Sequence, residues 1–463
     1  MTRDTDAYAQ AMEFLYGRLN YERLGLPRSS EGLGLGRMRR LMRKLGDPQK
    51  SYRIIHVAGT KGKGSTCTIL GAALAASGYR TGLFSSPHLH HLEERYLING
   101  IEIKPDDLVK LVREIQPVAE LMDSQSGSDQ KLTFFEITTA LGLLYFQRES
   151  CEIVVLEVGM GGRLDSTNIV RPDVAVLTSI SLDHTRQLGS TTAEIAREKA
   201  GILKRGGQAV SGVTDSQAMA VIQDVADLRG SQLFRIGRDY QYSATSPVRP
   251  IARPTPSSLR TETWVSDWGE IPCPLIGPHQ IENSALAMAV LDLMEVKGLK
   301  LHREKIKEAW RRLQMPARVE IMRDQPLVVI DGAHNEASAA ALASTIQENF
   351  PASLGVKVLI FGTTREKDLE GQLRHLVPLF DRIIVTQYHL NPRARPLDET
   401  ALAIKKINGS GSAEPMIEPA PEKAIELAIE LAGRTGLAVV TGSLFLAAEV
   451  RSILMNPHNS VRN

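Results

Sequence analysis

Short apolar runs rich in β-branched residues alternate along this chain with longer segments in which apolar residues recur at helical spacing. Ile54–Val57, Arg80–Phe84, Glu152–Leu156 and Asp173–Leu177 read as strands. Between them, Ser65–Ser77, stopped by Gly78, and Phe134–Gln147 read as helices. Strands and helices in strict alternation predict an α/β architecture of parallel, doubly wound sheets with helices on both faces.

The texture changes over residues 237–276, where Ser, Pro, Thr and Arg dominate and only short alternating pieces such as Thr261–Val265 remain. This predicts a small β-rich excursion or flap. Helical spacing returns over Gln280–Val296 and Arg303–Leu313, and Met315-Pro316-Ala317-Arg318 then breaks it. The expected domain boundary lies there, giving an N-terminal domain of residues 1–315 and a C-terminal domain of residues 316–463. In the latter, Leu327–Ile330, Val356–Phe361, Arg382–Thr386 and Leu437–Val440 alternate with helix candidates Glu336–Asn349, Leu369–Val377, Lys423–Leu431 and Leu444–Arg451. That pattern predicts a second, smaller Rossmann-like sheet.

With 463 residues and 43% hydrophobic content the chain is long enough for more than one core. A formal net charge of only +2 supplies no global field for a nucleic-acid backbone or an anionic membrane, so any anion must be caught locally. Cys67, Cys151 and Cys273 are scattered and odd in number, which argues against a disulfide framework and for a reducing compartment. The opening residues Met1–Asp6 lead into no apolar run and no stretch is long enough to span a bilayer, so the expectation is a cytoplasmic protein without membrane or nucleic-acid partners.

Directly after the first strand come Ala58-Gly59-Thr60-Lys61-Gly62-Lys63-Gly64-Ser65-Thr66 and then a helix. Glycines let successive N–H groups converge, the helix N-terminus adds its positive dipole end, and Lys63 is placed to reach outer phosphates. The bland alternative is a βα turn packed tightly by its glycines. The loop departs from the common P-loop pattern because Gly64 separates Lys63 from Ser65. Strand, loop and helix together favour a P-loop ATPase-like N-terminal domain.

These residues resemble the nucleotide loop of the dihydrofolate synthase/folylpolyglutamate synthase family of the Mur ligase superfamily, with Lys61 where asparagine is more usual. The likeness continues in order through Ser85-Ser-Pro-His-Leu89, Leu156-Glu-Val-Gly-Met-Gly-Gly-Arg-Leu-Asp165, Ser181-Leu-Asp-His184 with Leu188-Gly189, Glu198-Lys-Ala-Gly-Ile202, Pro316-Ala-Arg318 and Asp331-Gly-Ala-His-Asn335.

Glu157 ends a buried strand, where a carboxylate is costly unless paired or bound to a cation, and strand ends are where α/β sheets gather ligands. The resemblance implies that Ser86, Glu157 and His184 ligate Mg2+, and that Lys199 is carbamylated and holds a second Mg2+. Unaided, His184 reads as a surface histidine and Lys199 as a solvent-facing lysine. Asn283, at the start of a helix with Gln280, reads as a capping amide; the resemblance implies a contact to adenine. Arg318 suits phosphate charge and Asp331 suits ribose hydroxyls. The resemblance makes these two and His334 the second domain's share of an interdomain active site. The bland reading of Asp331-Gly332 is a capping turn.

What the resemblance implies as a whole is an ATP-dependent, Mg2+-requiring monomer, with K+ as a candidate further cofactor. It joins L-glutamate to dihydropteroate, to a reduced folate, or to both, through an acyl phosphate. Three other readings stand beside it: a Mur-type ligase acting on a nucleotide-linked peptide, a dinucleotide oxidoreductase using the Gly159-Met-Gly-Gly162 turn, and a non-catalytic nucleotide switch. The turn lacks full G-x-G-x-x-G spacing.

Overall fold

A computed structural model describes residues 5–21, 34–125, 131–245, 254, 257–350, 354–389, 391–408 and 414–456. The chain divides into two compact units. One holds Met1–Ser243, Arg260–Ile271 and Glu282–Arg312; the other holds Ala244–Leu259, Pro272–Ile281 and Leu313–Asn463.

In the first unit, β1 (Arg53–Ala58), β2 (Thr81–Phe84), β3 (Tyr96–Ile98), β4 (Ile101–Glu102), β5 (Ile153–Glu157), β6 (Val174–Leu177), β7 (Gln208–Ser211) and β8 (Gln232–Arg235) form one sheet. Their order is β4-β3-β2-β5-β1-β6-β7-β8. Strands β2, β5, β1, β6, β7 and β8 run parallel to one another. The expected doubly wound α/β sheet carries an antiparallel edge, where β2, β3 and β4 run antiparallel to one another in turn. The cause is local. Asn99 and Gly100, both at positive φ, connect β3 to β4 in two residues, a turn that reverses the chain.

Alternation along the strands puts Ile54, Val154, Leu156, Ala175 and Leu177 on one face, where they join cores built with the Asp6–Tyr16, Phe134–Arg148, Thr192–Ala200 and Ser216–Leu228 helices. The Lys63–Ala76 helix contacts β1, β2 and β5. Because both faces are covered, the central strands read as nearly continuous apolar runs, broken in β1 by His56.

Strands β9 (Gln241–Thr245), β10 (Ser258–Glu262) and β11 (Asp267–Pro272) make a three-stranded sheet in the order β11-β10-β9. They fall within the expected β-rich excursion, part of which lies outside the described residues.

The second unit carries β12 (Glu320–Asp324), β13 (Leu327–Ile330), β14 (Lys357–Phe361), β15 (Arg382–Val385), β16 (Met416–Ile417) and β17 (Leu437–Thr441), ordered β12-β13-β17-β14-β15-β16. All neighbours are parallel except β12 and β13. No helix among the described residues is long and apolar enough to cross a membrane.

Candidate active site

Strand β1 lies between β5 and β6, with Val57 opposite Glu157 and Ala58 opposite Leu177. The Gly59–Ser65 loop leaves its carboxyl end there, at the point where connections diverge to the two sides of the sheet. Gly62 caps the Lys63–Ala76 helix at φ 81°, which places Lys63 in its first turn. The positive end of the helix dipole therefore faces the loop.

A lattice of hydrogen bonds fastens this loop to the segment after β6. Thr60 N–H donates to the Ser179 carbonyl at 2.7 Å, Lys61 N–H to Ser179 Oγ at 3.1 Å, and Thr178 Oγ1 to the Lys61 carbonyl at 2.6 Å. Thr60 Oγ1 donates to the Ser181 carbonyl at 3.2 Å and accepts from Ser181 N–H at 3.1 Å. Lys61 Nζ meets Asp183 Oδ2 at 2.7 Å, and Lys63 Nζ donates to the Gly59 carbonyl at 3.2 Å. Ser65 is buried. Gly64 follows Lys63 in the same helical turn.

Lys199 does not face solvent. It is 3% exposed, and its Nζ donates to the Gly59 carbonyl at 2.8 Å. Burial, and then the charge of Lys63, push this amine down to about 7, with Asp183 opposing and Lys61 adding to the shift. Three lysines thus converge with Asp165 and Asp183 at the end of β1, and their ammonium groups offer local partners for an anion.

Glu157, also buried, accepts a hydrogen bond from Ser86 N–H at 3.2 Å. His184 is exposed, caps the short Thr185–Leu188 helix at φ 50°, and has its N–H held by Asp183 Oδ1 at 2.9 Å. Among the described residues no group of three or more His, Cys, Asp or Glu side chains is arranged to hold a metal ion. Ser86 and Lys199, members of the expected ligand set, are of neither type. Asn283 is buried over the loop: Thr66 Oγ1 donates to its Oδ1 at 3.5 Å, and a Cβ on Gly62 would meet that oxygen at 2.2 Å. Gln280 is buried with its N–H on the Gly277 carbonyl.

In the second unit, Asp331 follows β13 and is buried. Its Oδ2 accepts from Val319 N–H at 3.0 Å and its Oδ1 from Ala333 N–H at 2.8 Å. Burial raises its carboxyl, opposed by nearby Arg318 and by these two amides. Arg318 donates from Nη1 to the Ala317 carbonyl at 2.8 Å, and His334 Nδ1 lies 2.9 Å from the Gly332 carbonyl. Asp331 thus ties the backbone next to Arg318 to that next to Gly332, while the helix that follows is capped by Asn335.

Residues 57–291 match the Mur ligase middle domain and residues 317–444 the Mur ligase glutamate ligase domain. A Bacillus subtilis dihydrofolate synthase/folylpolyglutamate synthase is 32% identical over 450 residues, covering 97% of this chain and 99% of that one. The chain belongs to the dihydrofolate synthase/folylpolyglutamate synthase family. A Mycobacterium tuberculosis folylpolyglutamate synthase complexed with ADP superposes with a TM-score of 0.85 at 32% identity, covering 97% of this chain and 98% of that one. Escherichia coli FolC in complex with DHPP and ADP gives 0.82 at 28% identity, covering 99% of each chain.

For this family member, Asp165 and Asp183 are the site residues that reasoning from sequence left without a role, although both stand inside quoted motifs. Asp165 is buried. Its Oδ2 accepts from Met160 N–H at 2.9 Å and its Oδ1 from Thr167 Oγ1 at 2.5 Å, and it lies close enough to Lys63 to be influenced by it. The available signal was an acid three residues after the Gly159-Met-Gly-Gly162 turn, inside the motif that carries Glu157. His279, in the second unit, was also missed: burial and then Arg318 push it down to about 4.

Proposed function

We infer that this chain is an ATP-dependent ligase that joins L-glutamate through an amide bond to dihydropteroate, to a reduced folate, or to both, by way of an acyl phosphate. The observation that carries this reading is end-to-end similarity to relatives named for those two activities. The glycine loop at the end of β1, with Lys61 and Lys63 in it and Lys199 beside it, agrees with it.

The substrate carboxylate attacks the γ-phosphorus of ATP and ADP leaves, giving an acyl phosphate. The glutamate amine then attacks the acyl carbon, loses a proton, and expels phosphate. The loop of Gly59, Thr60, Lys61, Gly62, Lys63, Gly64 and Ser65 is proposed to cradle the phosphates, with Lys63 and the start of its helix facing them and the Thr60 and Lys61 amides holding the loop to Ser179. Asn283 is proposed to meet adenine, and Asp331 the ribose. Arg318 and His334 are assigned to the charge that grows at the transferring phosphoryl group. A dry, buried setting around Lys199 and Glu157 would protect an acyl phosphate from water.

Glu157 offers a buried, hard oxygen donor beside Ser86, which fits Mg2+, with His184 as a further ligand. Bound Mg2+ neutralises phosphate charge. Lys199 at about 7 is substantially uncharged near neutral pH, and a neutral amine is the form that carbamylates with CO2. We take the protein to be a cytoplasmic monomer without nucleic-acid or membrane partners, and K+ to be a further activator.

Phosphate release with dihydropteroate and then with tetrahydrofolate, each with and without glutamate and in K+ or Na+ buffer, tests the reading. Release that needs ATP, glutamate and either pterin is expected. Release only with a UDP-muramyl peptide would move the chain to the Mur peptide ligases, and no release with any acceptor would favour a nucleotide switch. ADP should raise the thermal midpoint of the wild type but not of Lys63→Ala.

A further inference from the structure

We propose that Lys61 is a positioning residue that works through Asp183, holding the Ser181–His184 segment against the nucleotide loop, rather than a direct phosphate ligand. This rests on the ligase reading above. The carboxylate of Asp183 divides its two oxygens. Oδ2 takes the Lys61 ammonium at 2.7 Å, and Oδ1 takes the backbone N–H of His184 at 2.9 Å. The second bond belongs to a backbone at φ 50°, a left-handed conformation uncommon for any residue with a side chain, and the bond helps to hold it. It is this bend that starts the Thr185–Leu188 helix and leaves the His184 side chain exposed.

Lys61 therefore ties the nucleotide loop to the peptide that sets the direction of His184. The pair is partly shielded, with side-chain exposures of 28% and 13%, so solvent weakens it less than a surface pair. Thr60 fastens the same segment one step earlier through its two bonds with Ser181. Lys63 bonds within its own loop and Lys199 reaches the same Gly59 carbonyl, so of the three converging lysines it is Lys61 whose ammonium is directed at a carboxylate.

Lys61→Met, Lys61→Arg, Asp183→Asn and the double variant Lys61→Met/Asp183→Asn decide the matter, read by kcat at saturating ATP and by the ADP concentration that gives half-maximal thermal stabilisation in EDTA. If Lys61 acts through Asp183, Lys61→Met and Asp183→Asn each lower kcat by about tenfold, the double variant is no worse than either, and Lys61→Arg keeps most activity. The ADP concentration then shifts less than about twofold in all four. A Lys61→Met protein that needs at least about tenfold more ADP while Asp183→Asn does not would make Lys61 a phosphate ligand and overturn the proposal, as would multiplying kcat losses in the double variant. A wild type without any ADP response overturns the nucleotide reading instead. In that case the coupling is read from the midpoints of the metal-free proteins, where additive losses overturn the tether.

Discussion

Lys199 and Gly59 stand 140 residues apart in sequence, yet the lysine Nζ donates to the glycine carbonyl at 2.8 Å inside the protein. A buried ammonium costs stability unless its surroundings compensate it, and the drop of this amine to about 7 registers that cost. Lys199→Met keeps the apolar stem and removes the charge. Phosphate release should fall by about two to three orders of magnitude, while the thermal midpoint stays level or rises. A midpoint lower by more than about 5 °C would make the residue a structural strut.

Gly62 is the next sensitive point. It sits at φ 81°, and a Cβ there would come within 2.2 Å of Asn283 Oδ1. Gly62→Ala should cost about 1–3 kcal/mol from backbone strain and displace the Asn283 amide as well. We expect a lower midpoint and loss of ADP stabilisation. Adding Asn283→Ala should recover the part due to the collision and leave the backbone part, a split that a pair of unfolding curves measures directly. An unchanged midpoint in the single variant would show that the loop re-forms without a left-handed cap.

In the second unit, Asp331 serves Val319 and Ala333 with one oxygen each. Asp331→Ala strands two buried amides and should destabilise the protein by roughly 2–4 kcal/mol, whether or not nucleotide is present. If the residue matters only for a ribose hydroxyl, the midpoint without nucleotide will be that of the wild type.

Much of this was legible in the chain because the central strands are buried on both faces and so carry nearly continuous apolar runs. Leu327–Ile330 and Glu336–Asn349 fall where the pattern puts them. The glycine loop and the helix after it were legible too, but the helix begins at Lys63, two residues before the expected Ser65, because Gly62 at φ 81° caps it there. Two short parallel strands, Gln208–Ser211 and Gln232–Arg235, were not read, because glutamine, serine and arginine at their ends blur the apolar signal. The antiparallel β3-β4 edge was missed although Asn99-Gly100 marks it plainly. The burial of Lys199 was hidden because its helix, Thr192–Ala200, is polar on average and a lysine beside Glu198 and Arg197 looks solvated. What buries it is packing from distant segments, and that information is tertiary.

His56 offers a test of the site's foundation by pH. It lies on β1 and is wholly buried, and its Nε2 is 2.9 Å from Thr167 Oγ1. Since Thr167 spends its one hydroxyl proton on Asp165 Oδ1, the histidine must donate from Nε2, leaving Nδ1 as a buried acceptor without a hydrogen-bond partner. Burial, reinforced by Lys204, pushes its ionisation down to about 3. Between about 3 and the ordinary 6.5 the unfolded chain binds a proton there that the folded chain refuses, so His56 makes stability rise with pH across that window and fall on acidification. Asp165, raised by burial, contributes with the opposite sign, but it is present in both proteins to be compared. His56→Gln keeps a donor for Thr167 and does not titrate. Relative to the variant, the wild type should lose about 2 to 3 kcal/mol more on going from about pH 6.5 to 4.5, seen as a steeper fall in its thermal midpoint. Parallel midpoint curves for the two proteins would mean that water reaches His56 and that β1 is less tightly sealed beneath the nucleotide loop than its packing indicates.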